Sequence, residues 1–281
     1  MAEITAAAVG KLREMTNAGL MDCKKALSEA NGDLDVAVEI LRKRGVAQAA
    51  KKAGREAREG VIAQHIAPGG KAGVLVEINC ETDFVAKNDL FKAFCDDVAR
   101  TVATEPAADL ETLRVGAVAK IGENILIARH TRFDLAGPGL IAAYIHTGGK
   151  VGVLLEVGCT KDATPSSDAF KQLVKDITLQ IAAASPSAVD RDGVPADVVA
   201  KEREIAMQSD RLKGKPAQAL EKIVQGILDK YYQTVCLTEQ GFVKDGEKTV
   251  RQHVESVGKS IDDTLSIRRF LRWQVGEATG A

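Results

Sequence analysis

Gly60-Val61-Ile62-Ala63-Gln64-His65-Ile66 returns 79 residues later as Gly139-Leu140-Ile141-Ala142-Ala143-Tyr144-Ile145. Gly69-Gly70-Lys71 returns as Gly148-Gly149-Lys150, and Gly73-Val74-Leu75-Val76-Glu77-Ile78 as Gly152-Val153-Leu154-Leu155-Glu156-Val157, with Cys80 meeting Cys159. The register persists downstream, where Phe91-Lys92 falls opposite Phe170-Lys171 and Asp97-Val98 opposite Asp176-Ile177. Each copy reads as strand, Gly-Gly turn, strand, loop and helix, the paired glycines supplying the hairpin turn and the helix covering one sheet face. The fold class is therefore α+β, with a core of two related α+β subdomains.

Upstream of the first copy, residues 1–45 read as a three-helix domain. Ile4, Val9, Leu12 and Met15 make a helical stripe over Ile4 to Thr16, and Asn17-Ala18-Gly19 interrupts it. Met21, Ala26 and Leu27 are the core positions of a second helix that ends at Asn31-Gly32. Asp33 caps a third, with Leu34, Val38 and Leu41 on one face and Gly45 as its stop. Residues 46–59 form a linker within a basic run, Arg42, Lys43, Arg44, Lys51, Lys52, Arg55 and Arg58 against Glu56 and Glu59. Two readings of that run stand, a linker kept soluble by charge and a local RNA contact.

Subdomain N spans residues 60–138 and includes a helix over Leu110 to Ile121 and a strand over Asn124 to Phe133, with Ile125, Ile127 and Phe133 facing one way. Subdomain C spans residues 139–194 and 233–281, closed by a return strand over Ser266 to Val275. Residues 195–232 read as a helical-hairpin arm: Val194 to Gln208 and Ala217 to Tyr232 flank a connection at Ser209 to Pro216. Val198, Ile205, Leu220, Ile223, Val224, Ile227 and Leu228 zip its helices in coiled-coil fashion.

The 281 residues carry 38 basic and 39 acidic side chains, so no global field draws the chain to nucleic acid or anionic lipid. A hydrophobic fraction of 45% and a charged fraction of 27% are those of an ordinary folded protein. Met1-Ala2-Glu3-Ile4-Thr5 has no signal-peptide character and no apolar run is long enough to cross a bilayer, which predicts a cytoplasmic location and no membrane partner. Cys23, Cys80, Cys95, Cys159 and Cys236 are scattered, odd in number and without a CxxC pair, so they read as small hydrophobes in a reducing compartment.

What folding needs is kept in both copies of a duplication, so a feature of one copy is a candidate for function. Copy one reads Glu81-Thr82-Asp83-Phe84-Val85-Ala86-Lys87-Asn88-Asp89 where copy two reads Thr160-Lys161-Asp162-Ala163-Thr164-Pro165-Ser166-Ser167-Asp168. Phe84, flanked by Asp83, Lys87 and Asn88, has the chemistry of an interface anchor; the competing reading folds it back onto its own helix. Gly258-Lys259-Ser260 lacks the earlier glycine of a phosphate loop, since His253 stands there, and no nucleophile elbow or HExxH helix occurs. The four histidines show no ligand spacing and read as surface or strand residues, with His146 beside the second hairpin turn kept as a contact candidate. No enzyme chemistry, cofactor or metal is expected.

Thr16-Asn17-Ala18-Gly19-Leu20-Met21-Asp22-Cys23-Lys24-Lys25-Ala26-Leu27 resembles the N-terminal signature of the elongation factor Ts family, and Thr82-Asp83-Phe84-Val85-Ala86-Lys87-Asn88 its second signature. Ile121-Gly122-Glu123-Asn124 and Ile205-Ala206-Met207-Gln208-Ser209 match further family segments, so the resemblance spans almost the whole chain. It implies a ubiquitin-associated-like (UBA-like) N-terminal domain, the two-subdomain core, and an arm. It also implies a guanine nucleotide exchange factor of protein biosynthesis that binds the GTPase elongation factor Tu. In that family the segment matching Thr82, Asp83, Phe84 and Val85 enters the GTPase and disturbs its Mg2+, with the aromatic as wedge and the acid beside it. Leu12 and Met21 are implied to lie against the nucleotide-binding domain, and Lys87, Asn88 and His146 are further contact candidates. A homodimer within a Tu–Ts assembly is compatible with the resemblance.

Overall fold

Three helices, α1 (Ala6–Thr16), α2 (Leu20–Glu29) and α3 (Leu34–Lys52), close around Val9, Leu12, Cys23, Ala26, Leu27 and Ala37. The structure, a computed structural model, describes residues 4–16, 18–209 and 216–277. Asn17, expected in the first helix break, and the arm tip at Asp210 to Lys215 lie outside the described residues. Asp33 caps α3 as expected, its carboxylate accepting from the N–H groups of Asp35 and Val36. Met15 and Met21 do not join the bundle core but stand exposed.

Copy one follows as β1 (Glu59–Ile66), β2 (Ala72–Cys80), the one-turn α4 (Asp83–Lys87), α5 (Asp89–Thr104), α6 (Leu110–Ile121) and β3 (Ile125–Asp134). Its sheet has the order β1-β2-β3, antiparallel throughout, and α5 lies on it with Phe91, Cys95, Val98 and Val102 buried. Gly45 does not end α3. It lies buried against α6, where an added Cβ would sit 3.4 Å from Val115 Cγ1, so the small residue admits the neighbouring helix and α3 runs on to Lys52. Much of the basic run is thereby tied up locally, Lys43 with Glu39, Arg44 with Glu29, Arg55 with Glu81 and Arg58 with Glu56.

Copy two opens with β4 (Gly139–Ile145), β5 (Val151–Gly158) and α7 (Asp168–Ala184). The chain then departs through α8 (Ala196–Met207) and α9 (Ala217–Val235), and returns as β6 (Gly241–Phe242), β7 (Asp245–Thr249), α10 (Val250–Ser260) and β8 (Ser266–Gln274). The second sheet has the order β4-β5-β8. Sequence reading identified the return strand but missed α10 and the small β6–β7 hairpin. The helix belongs to a deeper repeat: α10 and β8 occupy the places of α6 and β3 at an offset of 140, so the arm is an insertion into copy two, and the β6–β7 hairpin is particular to that copy. In the arm, Ala206, Val224 and Leu228 form the distal contact and Val198, Val199, Tyr231 and Tyr232 the proximal one; Ile205, expected in the seam, is exposed.

Strand β3 departs from simple alternation. Ile127 pairs with Ile78 and Arg129 with Glu77, so Ala128 is a bulge, and beyond it the faces exchange. Ile125 and Ile127 therefore face α5, whereas Phe133, expected beside them, joins the opposite face. Strand β8 repeats the device at Arg268. The two bulged faces meet across a pseudo-twofold axis, with Ile62, Leu75 and Phe133 of one copy against Ile141, Leu154 and Trp273 of the other. Gly73 and Gly152 make that approach possible, since a Cβ at either would lie 2.6 Å from Ile141 Cγ2 or 2.5 Å from Ile62 Cγ2.

Each sheet also buries an acid for the partner copy's benefit. Glu77 holds Arg129 at 2.7 Å, and Arg129 stacks 4.5 Å from the Trp273 ring centroid and donates to Gln274 O. Glu156 holds Arg269 at 2.7 Å, and Arg269 stacks 4.0 Å from the Phe133 ring and donates to Asp134 O. The two copies are interlocked by the same acid, arginine and aromatic in both directions.

The β6–β7 hairpin is fixed to α7 by Lys244 on Asp176 (2.7 Å) and by the Val243 N–H on Gln180 Oε1 (2.8 Å). His253 of α10 closes this corner, stacked 4.1 Å from the Phe242 ring and 3.8 Å from Asp176 Oδ2, with Lys244, Asp245 and Lys248 around it. Burial holds its pKa below the ordinary value of 6.5, outweighing the opposing pull of Asp176. The folded state thus prefers the neutral ring, so stability is full above the unfolded value and is lost as pH falls through the depressed folded one. Urea titrations between about pH 7.5 and 5.5 are expected to show this loss in the native chain and a flatter profile in His253→Phe; identical slopes would refute the assignment.

Candidate functional site

The Phe84 segment is built from its caps inward. Thr82 is extended, its Oγ1 accepts the Val85 N–H at 3.3 Å, and this starts the single turn α4. Asn88 ends that turn and begins the next helix, its side chain accepting the Leu90 N–H at 2.8 Å. Residues two apart on a helix point in nearly opposite directions, about 200°. Ala86 is buried and Val85 packs on the core of copy one, so Phe84 is driven outward.

Phe84 is 81% exposed, the most exposed of the large apolar side chains among the described residues. It does not fold back on its own helix, which Phe91 already secures. Burying a phenylalanine is worth about 1.5–3 kcal/mol, so the fold forgoes that gain here. Beside it Lys87 Nζ meets Asp83 Oδ2 at 2.6 Å, and this hydrogen bond holds the Asp83 carboxyl below the usual carboxylate range. At neutral pH Asp83 is ionised. Ala163, the counterpart of Phe84, offers no comparable apolar area.

The remaining candidates separate. Met21 is 62% exposed and stands with Met15 and Leu20 on the outside of the bundle. Leu12 is 0% exposed. The free chain does not present it as a surface contact, since it lies in the bundle core. His146 is exposed at the second hairpin turn, its Nδ1 3.1 Å from the Tyr144 hydroxyl. Sequence reasoning missed Leu90, which is half exposed just beyond Asn88. It leads into a groove of about 650 Å³ between the bundle and copy one, lined by Met15, Leu41, Leu90, Phe94 and Leu113 among others. The signal available was an apolar residue beside an N-cap, where helices usually place polar ones.

The described cysteines are all buried and free, and burial pushes the Cys80 thiol up to about 12, which removes it as a nucleophile at neutral pH. Among the described residues no cluster of three His, Cys, Asp or Glu could hold a metal, and no helix is long and apolar enough to cross a membrane. The arrangement offers an apolar projection with a charged neighbour, and a flanking apolar groove. That is contact chemistry.

Comparison with known proteins agrees with the geometry. Residues 81–277 match the family described as Elongation factor TS. A curated elongation factor Ts of Trichlorobacter lovleyi is 45% identical over 98% of this chain and 93% of its own length. One of Symbiobacterium thermophilum is 44% identical over 99% and 93%, and one of Nitratidesulfovibrio vulgaris 41% identical over 99% and 98%. With its α+β duplication, its outward aromatic and relatives of that name matched almost end to end, the chain belongs to the elongation factor Ts family, translation elongation factors with a nucleotide exchange role.

Proposed function

We propose that this chain binds the GTPase elongation factor Tu in its GDP form and promotes GDP release as a non-enzymatic exchange factor. The observation that carries the reading is Phe84: a large apolar side chain, outward on a capped turn, in only one of two otherwise matched copies. On this reading Phe84 enters the GTPase beside its phosphate site, with Asp83 adjacent, and disturbs the coordination of the bound Mg2+. Thr82 and Val85 hold the turn, and Met21, Lys87, Asn88 and His146 add contacts. The three-helix bundle and copy one present the nucleotide-site contacts, and copy two and the arm reach other parts of the partner.

The energetics need no reacting group. GDP is held largely through its metal ion and through backbone donors, so displacing the ion weakens the whole site. Coupling is reciprocal: the factor loses affinity for Tu when GDP binds by the same ratio as it weakens GDP. Weakening of about ten-thousandfold corresponds to about 5.5 kcal/mol of differential binding, within reach of a buried aromatic and a broad interface. The test is the release rate of a fluorescent GDP analogue from elongation factor Tu in Mg2+. Addition of this chain is expected to raise it at least about a hundredfold, and no acceleration would end the proposal.

A further inference from the structure

We infer that Glu123 is the positioning residue of the Phe84 turn, working with Glu81 and Asn124 as a clamp that ties that turn to the end of α3. The inference rests on the exchange reading above for its functional consequence, and on geometry alone for the clamp.

Gly122 ends α6 with φ of 90°, a left-handed turn that sends the chain back toward the Phe84 segment. Glu123 Oε2 then accepts the N–H groups of Glu81 at 3.0 Å and Thr82 at 3.1 Å, while Oε1 accepts the Thr82 hydroxyl at 2.6 Å. Glu81 answers in the other direction, its Oε1 accepting the Asn124 N–H at 2.6 Å. Each acid thus grips the backbone of the other's segment. The grip extends to the bundle. Asn124 Nδ2 donates to Arg55 O at 2.7 Å, Arg55 Nη1 lies 3.4 Å from Glu81 Oε1, and Lys52 of α3 donates to Gly122 O.

The second copy shows which part belongs to the fold and which does not. Asp263 stands at the place of Glu123 and holds Thr160 and Lys161 by their N–H groups at 3.0 and 3.3 Å, and the Thr164 hydroxyl at 2.5 Å. One carboxylate per copy therefore holds the loop after the second strand. Glu81, however, is replaced by Thr160, and the acceptor that reaches back is gone. In copy two the return contact is a flexible donor, Lys161 Nζ on Asp262 Oδ2 at 2.8 Å, so a reciprocal acid that grips backbone exists only where the loop carries an exposed aromatic. Thr82 lies two residues before Phe84 on a single short turn, so any rotation of Thr82 swings the ring. A wedge delivers differential binding only if its orientation is fixed before contact.

The test uses the full chain with 4-fluorophenylalanine at position 84, in native, Glu123→Gln and Asp263→Asn forms. Fluorine relaxation in the free protein reads the order of the ring. Titration against Tu–GDP reads the maximal release rate and the half-saturating concentration separately. Glu123→Gln is expected to narrow the fluorine line and to lower the maximal rate about tenfold, the scale of a lost hydrogen bond to a charged group, with half-saturation little changed. Asp263→Asn is expected to leave both the fluorine line and the rate as they are. An unchanged line in Glu123→Gln, or equal losses in the two variants, would overturn the clamp. If Glu123→Gln does not fold, Glu81→Gln weakens the return grip and carries the same expectations. A native chain that accelerates nothing would sink the exchange reading alone, and the fluorine line would then decide the clamp by itself.

Discussion

Replacing Phe84 by alanine is expected to lower the maximal acceleration of GDP release about thirtyfold or more while leaving the thermal midpoint of the free protein within about 2 °C. The two halves of this expectation have separate grounds. Aromatic side chains that anchor an interface typically cost at least about 2 kcal/mol when truncated, which is about thirtyfold. In the free protein the ring is 81% exposed, so its removal opens no cavity. A stopped-flow release assay and a melting curve on the same preparations check both. An unchanged rate would remove Phe84 as the main agent and turn attention to Leu90 and the groove it opens, whereas a large fall in the midpoint would mean that the ring packs in solution after all.

The second large effect concerns stability. Glu156→Ala is expected to destabilise the chain by about 3–5 kcal/mol, about 10 °C in midpoint, measured by urea or thermal unfolding. Glu156 is 1% exposed and accepts from the Ala136 N–H at 3.1 Å, from Arg268 at 3.1 Å and from Arg269 at 2.7 Å. Burial alone would raise its pKa, but the hydrogen bonds from Ala136, Arg269 and Arg268 outweigh burial and hold it below the usual glutamate value. Its removal leaves two guanidinium groups without their counter-ion and frees Arg269 from the Phe133 ring in the other copy. Glu156→Gln, which keeps an acceptor and loses the charge, is expected to fall between the two. A loss under about 1 kcal/mol in Glu156→Ala would mean that the arginines find other partners and that the interlock is incidental.

The pseudo-twofold interlock also explains why the wedge can be carried by a turn of only five residues. Phe91, Phe170 and the paired faces around Leu75 and Leu154 give the core its rigidity, so α4 needs only to be capped and clamped onto it. The functional asymmetry of the protein is a local change in one loop of a symmetric support.

Much of this was legible in the residues. The hairpins, the helix after each, the strand at Ile125, the return strand at Ser266 and the two arm helices follow from period and turn chemistry, which act within a few residues. Phe84 stood out because a duplication supplies its own control. What was not legible depended on distant partners. Gly45 reads as a helix stop and is instead a seat for α6, because a buried helix can carry a glycine where another helix must come close. Leu12 and Met21 both read as apolar core positions of their helices, and only packing decides that the first is enclosed and the second exposed. Phe133 reads as a neighbour of Ile127 until a bulge turns it over. The α10 and β8 repeat escaped notice because the arm separates it from its own hairpin and because its matching residues are few.

The sequence by itself determined the fold class, the duplication, the order of most of its elements and the loop that differs between copies, since these rest on local preferences and on comparison of the chain with itself. Tertiary structure alone decided that Phe84 faces outward, that Glu81 and Glu123 hold the turn beneath it, and that each sheet lends an arginine to the other. Those contacts join residues 41 to 145 positions apart, and no local pattern encodes them.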